Sequence, residues 1–150
     1  MRKFAFIGIC FTLTFMTAIV ASGQTAQDVW GAKGEYCRMY DPRTVQTVSG
    51  EVAAVRKFFP PGKGVSGVRF TLKTAKGPVE VILGPSWYVD RQRFPLAPED
   101  QVKVKGSLVA VAGKPTIIAK EVTKGGQTWK LRHQSGMPVW VPQSGIEPSG

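Results

Sequence analysis

The chain is poor in cysteine: Cys10 lies in an apolar N-terminal run, and Cys37 is the other. If that run is removed, no internal disulfide can form. Packing must then hold the fold, and Cys37 is left as a free thiol or an intermolecular bridge, the thiol being the simpler state. No Cys-x-x-Cys-His motif is present, which excludes c-type haem attachment. Histidine is limited to His133, so a Cys37–His133 pair would require the two ends of the domain to meet. There is no Gly-x-Ser-x-Gly elbow for a serine nucleophile, no Gly-x-Gly-x-x-Gly and no phosphate loop. Acids are also scarce, and they fall mainly at turns or on outward strand positions, not as a facing pair suited to proton transfer. These absences nominate no catalytic residue. The expectation is a binding protein, not an enzyme, with no cofactor.

What the chain does have is base. It carries 20 Lys and Arg against 10 Asp and Glu. All ten acids follow Gly23 and two of the bases precede it, so residues 24–150 hold eighteen bases and ten acids, a net charge of +8. Such a balance favours anionic partners, and it also serves simply to keep a small domain soluble.

Met1-Arg2-Lys3 opens the chain with positive charge, residues 4–21 carry none, and Ala21-Ser22-Gly23 offers small residues before Gln24. This is the layout of a secretory signal peptide cut after Gly23. The apolar run is long for a signal core and approaches the length of a membrane span, although Thr12, Thr14 and Thr17 weaken it as one. The expected location is therefore periplasmic or secreted, with an inner-membrane anchor through residues 4–21 as the alternative. Cys10 follows Ile9, where a lipid site would need a small residue.

The expected organisation is a signal over 1–23, an irregular lead-in over 24–43, a β domain over 44–140 and a disordered tail over 141–150. Residues 44–59 read as one long strand, with Val48, Val52 and Ala54 sharing a parity and Gly50 marking a bulge or bend. Val68, Phe70 and Leu72 alternate with Arg69, Thr71 and Lys73, the clearest half-buried strand in the chain. Ala75-Lys76-Gly77 turns it into a hairpin with Val79, Val81 and Leu83. Pro85 and Ser86 start a short helix over 87–93. A strand over 102–112 passes through Gly106, Gly113-Lys114-Pro115 turns it into another over 116–122, and a last short one over 127–132 carries Trp129 and Leu131. The predicted fold class is all-β: a small OB-like barrel of five to six strands with one short helix between strands three and four. Closure of such a barrel removes exposed sheet edges and uses Gly bends such as Gly50 and Gly106.

Two segments carry a family resemblance. One runs from Leu83-Gly84-Pro85-Ser86-Trp87-Tyr88 to Pro98-Glu99-Asp100-Gln101-Val102-Lys103-Val104-Lys105-Gly106. The other runs from Ile118-Ala119-Lys120-Glu121-Val122 to Leu131-Arg132-His133-Gln134-Ser135-Gly136-Met137-Pro138-Val139-Trp140. Together they resemble the small exported OB-fold proteins of bacteria and are similar to the soluble domain of some magnetosome-associated membrane proteins. The resemblance implies fold and export and supplies no catalytic residue. It departs from the family pattern at His133, where an acid would be expected after Leu131-Arg132.

OB barrels hold extended ligands on the face of strands two and three and in the loops beside it. The candidate ligand-binding residues are accordingly Arg69, Lys73, Lys76, Lys57, Phe59 and Lys63, with Trp87 and Tyr88 either lining a pocket or plugging one end of the barrel. Cations interleaved with aromatic rings also suit single-stranded nucleic acid. Export makes nucleic acid the weaker candidate, and an anionic ligand or an acidic envelope protein the stronger. The bland reading of each cation is ordinary edge protection. A metal site is the lesser alternative. Cys37, Met39, His133 and Met137 are soft or borderline donors suited to copper, and their simplest role is that of a surface histidine and loop methionines. Three roles follow: an exported binding or adaptor module, expected as a monomer; a membrane-associated metal or redox accessory protein of magnetosome type; and an envelope stress protein.

Overall fold

The computed structural model describes residues 29–60 and 65–141. The signal or anchor over 1–23 and Lys63 lie outside the described residues. Six strands and few helices make up the described chain. Helix α1 spans Glu35–Met39, and a 3-10 turn spans Pro42–Thr44. Strands β1 (Val45–Phe58), β2 (Gly67–Thr74) and β3 (Gly77–Pro85) follow. Helix α2 (Ser86–Val89) runs into a 3-10 turn over Asp90–Gln92. Strands β4 (Gln101–Val111), β5 (Lys114–Lys124) and β6 (Gln127–Lys130) complete the order.

Strand β1 is long enough to serve two neighbours. Its first half pairs antiparallel with β4 and its second half with β2. β3 pairs antiparallel with β2, and it also pairs in parallel with β5 through Glu80–Thr116, Val81–Ile117 and Ile82–Ile118. That contact closes β1, β2, β3, β5 and β4 into a ring, with β6 added on the far side of β5. This is the predicted OB-like arrangement, with the short helix between strands three and four.

Alternation sets what fills the ring. Val68, Phe70, Leu72, Val81, Leu83, Val102, Val104 and Ile117 are all buried and form one cluster. On β1 the parity differs from the reading of its sequence. A bulge lies between Val52 and Ala54 in the pairing with β2, and the extra residue turns Val55, not Ala54, onto the core side. Gly50 is not the bulge. It is required because a Cβ there would stand 2.2 Å from the Lys73 carbonyl oxygen. Gly106 does adjoin a bulge, between Lys105 and Gly106 in the pairing with β5.

A second cluster lies on the outside of the ring. The lead-in, expected to be irregular, contributes helix α1 and buries Val29, Trp30, Tyr36 and Tyr40 against Ile82 and Ile118. Trp30 stacks on Tyr36 at 4.7 Å between centroids and meets Phe58 edge-on at 6.0 Å. The C-terminal segment folds back as well, because Leu131 N–H donates to the Lys120 carbonyl and Val139 N–H to that of Leu131. Trp140 then donates its Nε1–H to the Trp30 carbonyl at 2.7 Å. Lead-in and the segment 131–140 thus clasp each other across the outer face.

Burial in this cluster pushes the Tyr36 hydroxyl up to about 12, with the Glu35 carboxylate adding to the rise and Arg69 opposing it. The folded protein therefore keeps this proton where the unfolded chain, near 10.0, gives it up. Stability should be intact below pH 10 and fall as pH rises through about 12. Thermal melts across that window should show the fall. Tyr36→Phe should flatten it more than the same change at Tyr40 or Tyr88, whose hydroxyls burial also raises. An equal slope in Tyr36→Phe would remove Tyr36 as the cause.

Candidate functional site

Strand β2 places Arg69, Thr71 and Lys73 on its outward parity, as its alternation requires. The neighbouring strands decide what becomes of their charge. Arg56 of β1 and Glu80 of β3 flank them in register. The Arg56 guanidinium reaches a Glu80 oxygen at 3.0 Å, and Arg69 Nε lies 3.9 Å from the other. Thr71 donates its hydroxyl to Glu80 at 2.6 Å. One carboxylate therefore serves two guanidinium groups. Arg69 also lies over the Phe58 ring at 4.9 Å, which holds it flat against the strand. Lys73 and Lys76 are exposed and have no ion-pair partner among the described residues. The outcome is a strip with an excess of positive charge, semi-rigid at Arg69 and open at Lys73 and Lys76.

The other candidates do not join this strip. Lys57 stands opposite the inward Val68, turns toward the end of the ring and pairs with Asp90 at 2.9 Å. Phe58 enters the outer aromatic cluster, and Phe59 is 70% exposed. Lysine and phenylalanine adjacent in the sequence thus point to different faces, and no single groove interleaves them. Trp87 is exposed, with the Arg91 guanidinium 5.9 Å from its ring. Tyr88 packs on Trp140 at 5.2 Å and against the inner cluster, so it closes the ring beside α2.

Cys37, half-buried on α1, lies beside Arg132 and favours its charged form, against burial, which lowers the Arg132 pKa. Arg132 is buried, donates to the Gly136 carbonyl at 2.8 Å and lies between the rings of Tyr40 and Trp140, 5.2 and 5.7 Å away. Met39 packs into the outer apolar cluster, and His133 is exposed. Among the described residues no three His, Cys, Asp or Glu side chains are grouped to hold a metal ion.

The reading of the sequence missed Arg56, Glu80, Asp90 and Arg132. Glu80 was legible only as an outward acid in a strand. Its role comes from the register that sets it between two arginines.

A closed five-stranded β ring, covered on one outer face by the lead-in and the segment ending at Trp140 and cationic on another, defines a small OB-like β domain. The chain matches the MamS/MamX magnetosome protein family over residues 44–129, from just before β1 to within β6. It belongs to that family. A search of curated proteins finds no match to the chain.

Proposed function

We propose that this protein is an exported, non-enzymatic binding or adaptor module of the magnetosome family, and that it recognises an acidic partner or anionic ligand through the outer strip of β2 and β3. The observation that carries the reading is that Glu80 is shared by Arg56 and Arg69 while Lys73 and Lys76 stay exposed and unpaired among the described residues. Two cations on one carboxylate leave charge over, and a strand face presents it at regular spacing.

Binding to poly-glutamate, followed by titration at rising salt, tests the strip. Affinity should fall with salt. Arg69→Ala with Lys73→Ala should weaken it several-fold more than the charge-matched Lys103→Ala with Lys105→Ala on β4. Equal losses in the two double variants would show only general charge and sink the strip.

Membership of the magnetosome family also supports a second reading, a membrane-associated metal or redox accessory protein. Elemental analysis of the protein purified from its native compartment should then find copper or iron in stoichiometric amount. A metal-free preparation whose melting temperature does not move on adding either ion would count against it.

A further inference from the structure

One end of the ring holds a cleft of about 390 Å³, within the roughly 300–1,000 Å³ range of small-molecule sites. Its floor includes Val68 and Leu83, Phe94 and Trp129 form a wall, and Lys57 and Arg93 line it as well. It meets the strip of β2 and β3 at Arg56, which lines the cleft and pairs with Glu80 of the strip.

Three features set this cleft apart from ordinary surface. Arg93 ends the 3-10 turn after α2 with φ +50°, in the left-handed region where Gly or Asn is the usual occupant. Glu99 and Ala112 also have positive φ, but of the three Arg93 is the one that lines the cleft. Its guanidinium has no ion-pair partner among the described residues. The turn it makes brings Phe94 onto Trp129, with ring centroids 4.8 Å apart. Trp129 is itself buried, and its Nε1–H has no acceptor among the described residues. That enclosed N–H reports on the aromatic wall and makes no contact with a ligand's charge. Lys57 is held at the cleft by Asp90, which leaves Arg93 as the uncompensated cation.

We propose that the cleft binds a small organic monoanion with a compact apolar body. The carboxylate is drawn to Arg93, with Lys57 beside it, and the apolar body lies against Phe94 and Trp129. Apolar walls with a few placed polar groups are what such a ligand needs: burial supplies affinity, and the cation selects the charge.

Naphthoate is a suitable probe, titrated into the full chain while the Trp129 indole N–H is followed by NMR. Saturable binding should move that signal, and neutral naphthamide should bind at least threefold more weakly. Arg93→Gly should raise the naphthoate Kd about three- to fivefold, the weight of an exposed ion pair. It should not lower the melting temperature, since Gly takes a positive φ without a Cβ penalty. Lys73→Ala with Lys76→Ala, which touch neither the cleft nor Glu80, should leave the naphthoate Kd unchanged, which separates this cleft from the outer strip. The proposal is overturned by non-saturable shifts, by equal affinity for acid and amide, by an unchanged Kd in Arg93→Gly, or by an equal loss in the Lys73 and Lys76 double variant.

Discussion

Trp30→Ala should lower the free energy of unfolding by about 3–5 kcal/mol, the cost of emptying a large aromatic site. The residue lies outside the segment matched to the family, yet it is 2% exposed and touches three parts of the chain. Its ring stacks on Tyr36 and covers Gly67, where an added Cβ would come within 2.3 Å of it. Its Nε1–H donates to the Val65 carbonyl at 3.2 Å, and its own carbonyl accepts from Trp140. Truncation therefore empties the outer cluster, strands the Val65 carbonyl and loosens the anchor of the C-terminal segment. Urea unfolding with an unchanged m-value is the measurement. A loss below about 1 kcal/mol would mean that lead-in and ring do not unfold as one cooperative unit.

Gly106→Ala should cost about 3 kcal/mol, near the top of the usual range for overpacking. Here the Cβ meets backbone, not a yielding side chain: the Ile118 carbonyl oxygen at 2.3 Å, with Ile117 Cγ2 at 2.7 Å. Gly106 sits in β4 between Gln46 of β1 and Ala119 of β5, so neither neighbour can move without opening the ring. Gly126→Ala is the matched control. Nothing lies within 4 Å of a Cβ there, and the change should fall within about 0.5 kcal/mol of neutral. Equal melting temperatures for the two variants would show that the closure tolerates a wider gap between strands.

Much of the candidate strip was legible because it depends on alternation alone. Arg69 and Lys73 had to face away from Phe70 and Leu72, and they do. That Arg69 shares Glu80 with Arg56 was not legible, because three strands must be in register before those groups meet. The cleft was less visible still. Arg93 carries no signal for a positive φ, which Gly or Asn would have given, and Trp129 reaches Phe94 only after β6 pairs with β5.

By itself the sequence determined the strands, the turns at residues 75–77 and 125–126, the start of the short helix at Pro85 and Ser86, the all-β class and the family resemblance. Periodicity and turn chemistry act over a few residues and can be read along the chain. The tertiary structure alone decided the parallel closure of β3 on β5, the bulge that turns Val55 inward and the clasp of Trp30 with Trp140. Each joins residues far apart in the chain, and the surfaces they cover exist only once the ring has closed. The scarcity of cysteine is the other side of the same result: Cys37 is a free thiol among the described residues, and a clasp of packed aromatic rings and a hydrogen bond joins the lead-in at Trp30 to the segment ending at Trp140.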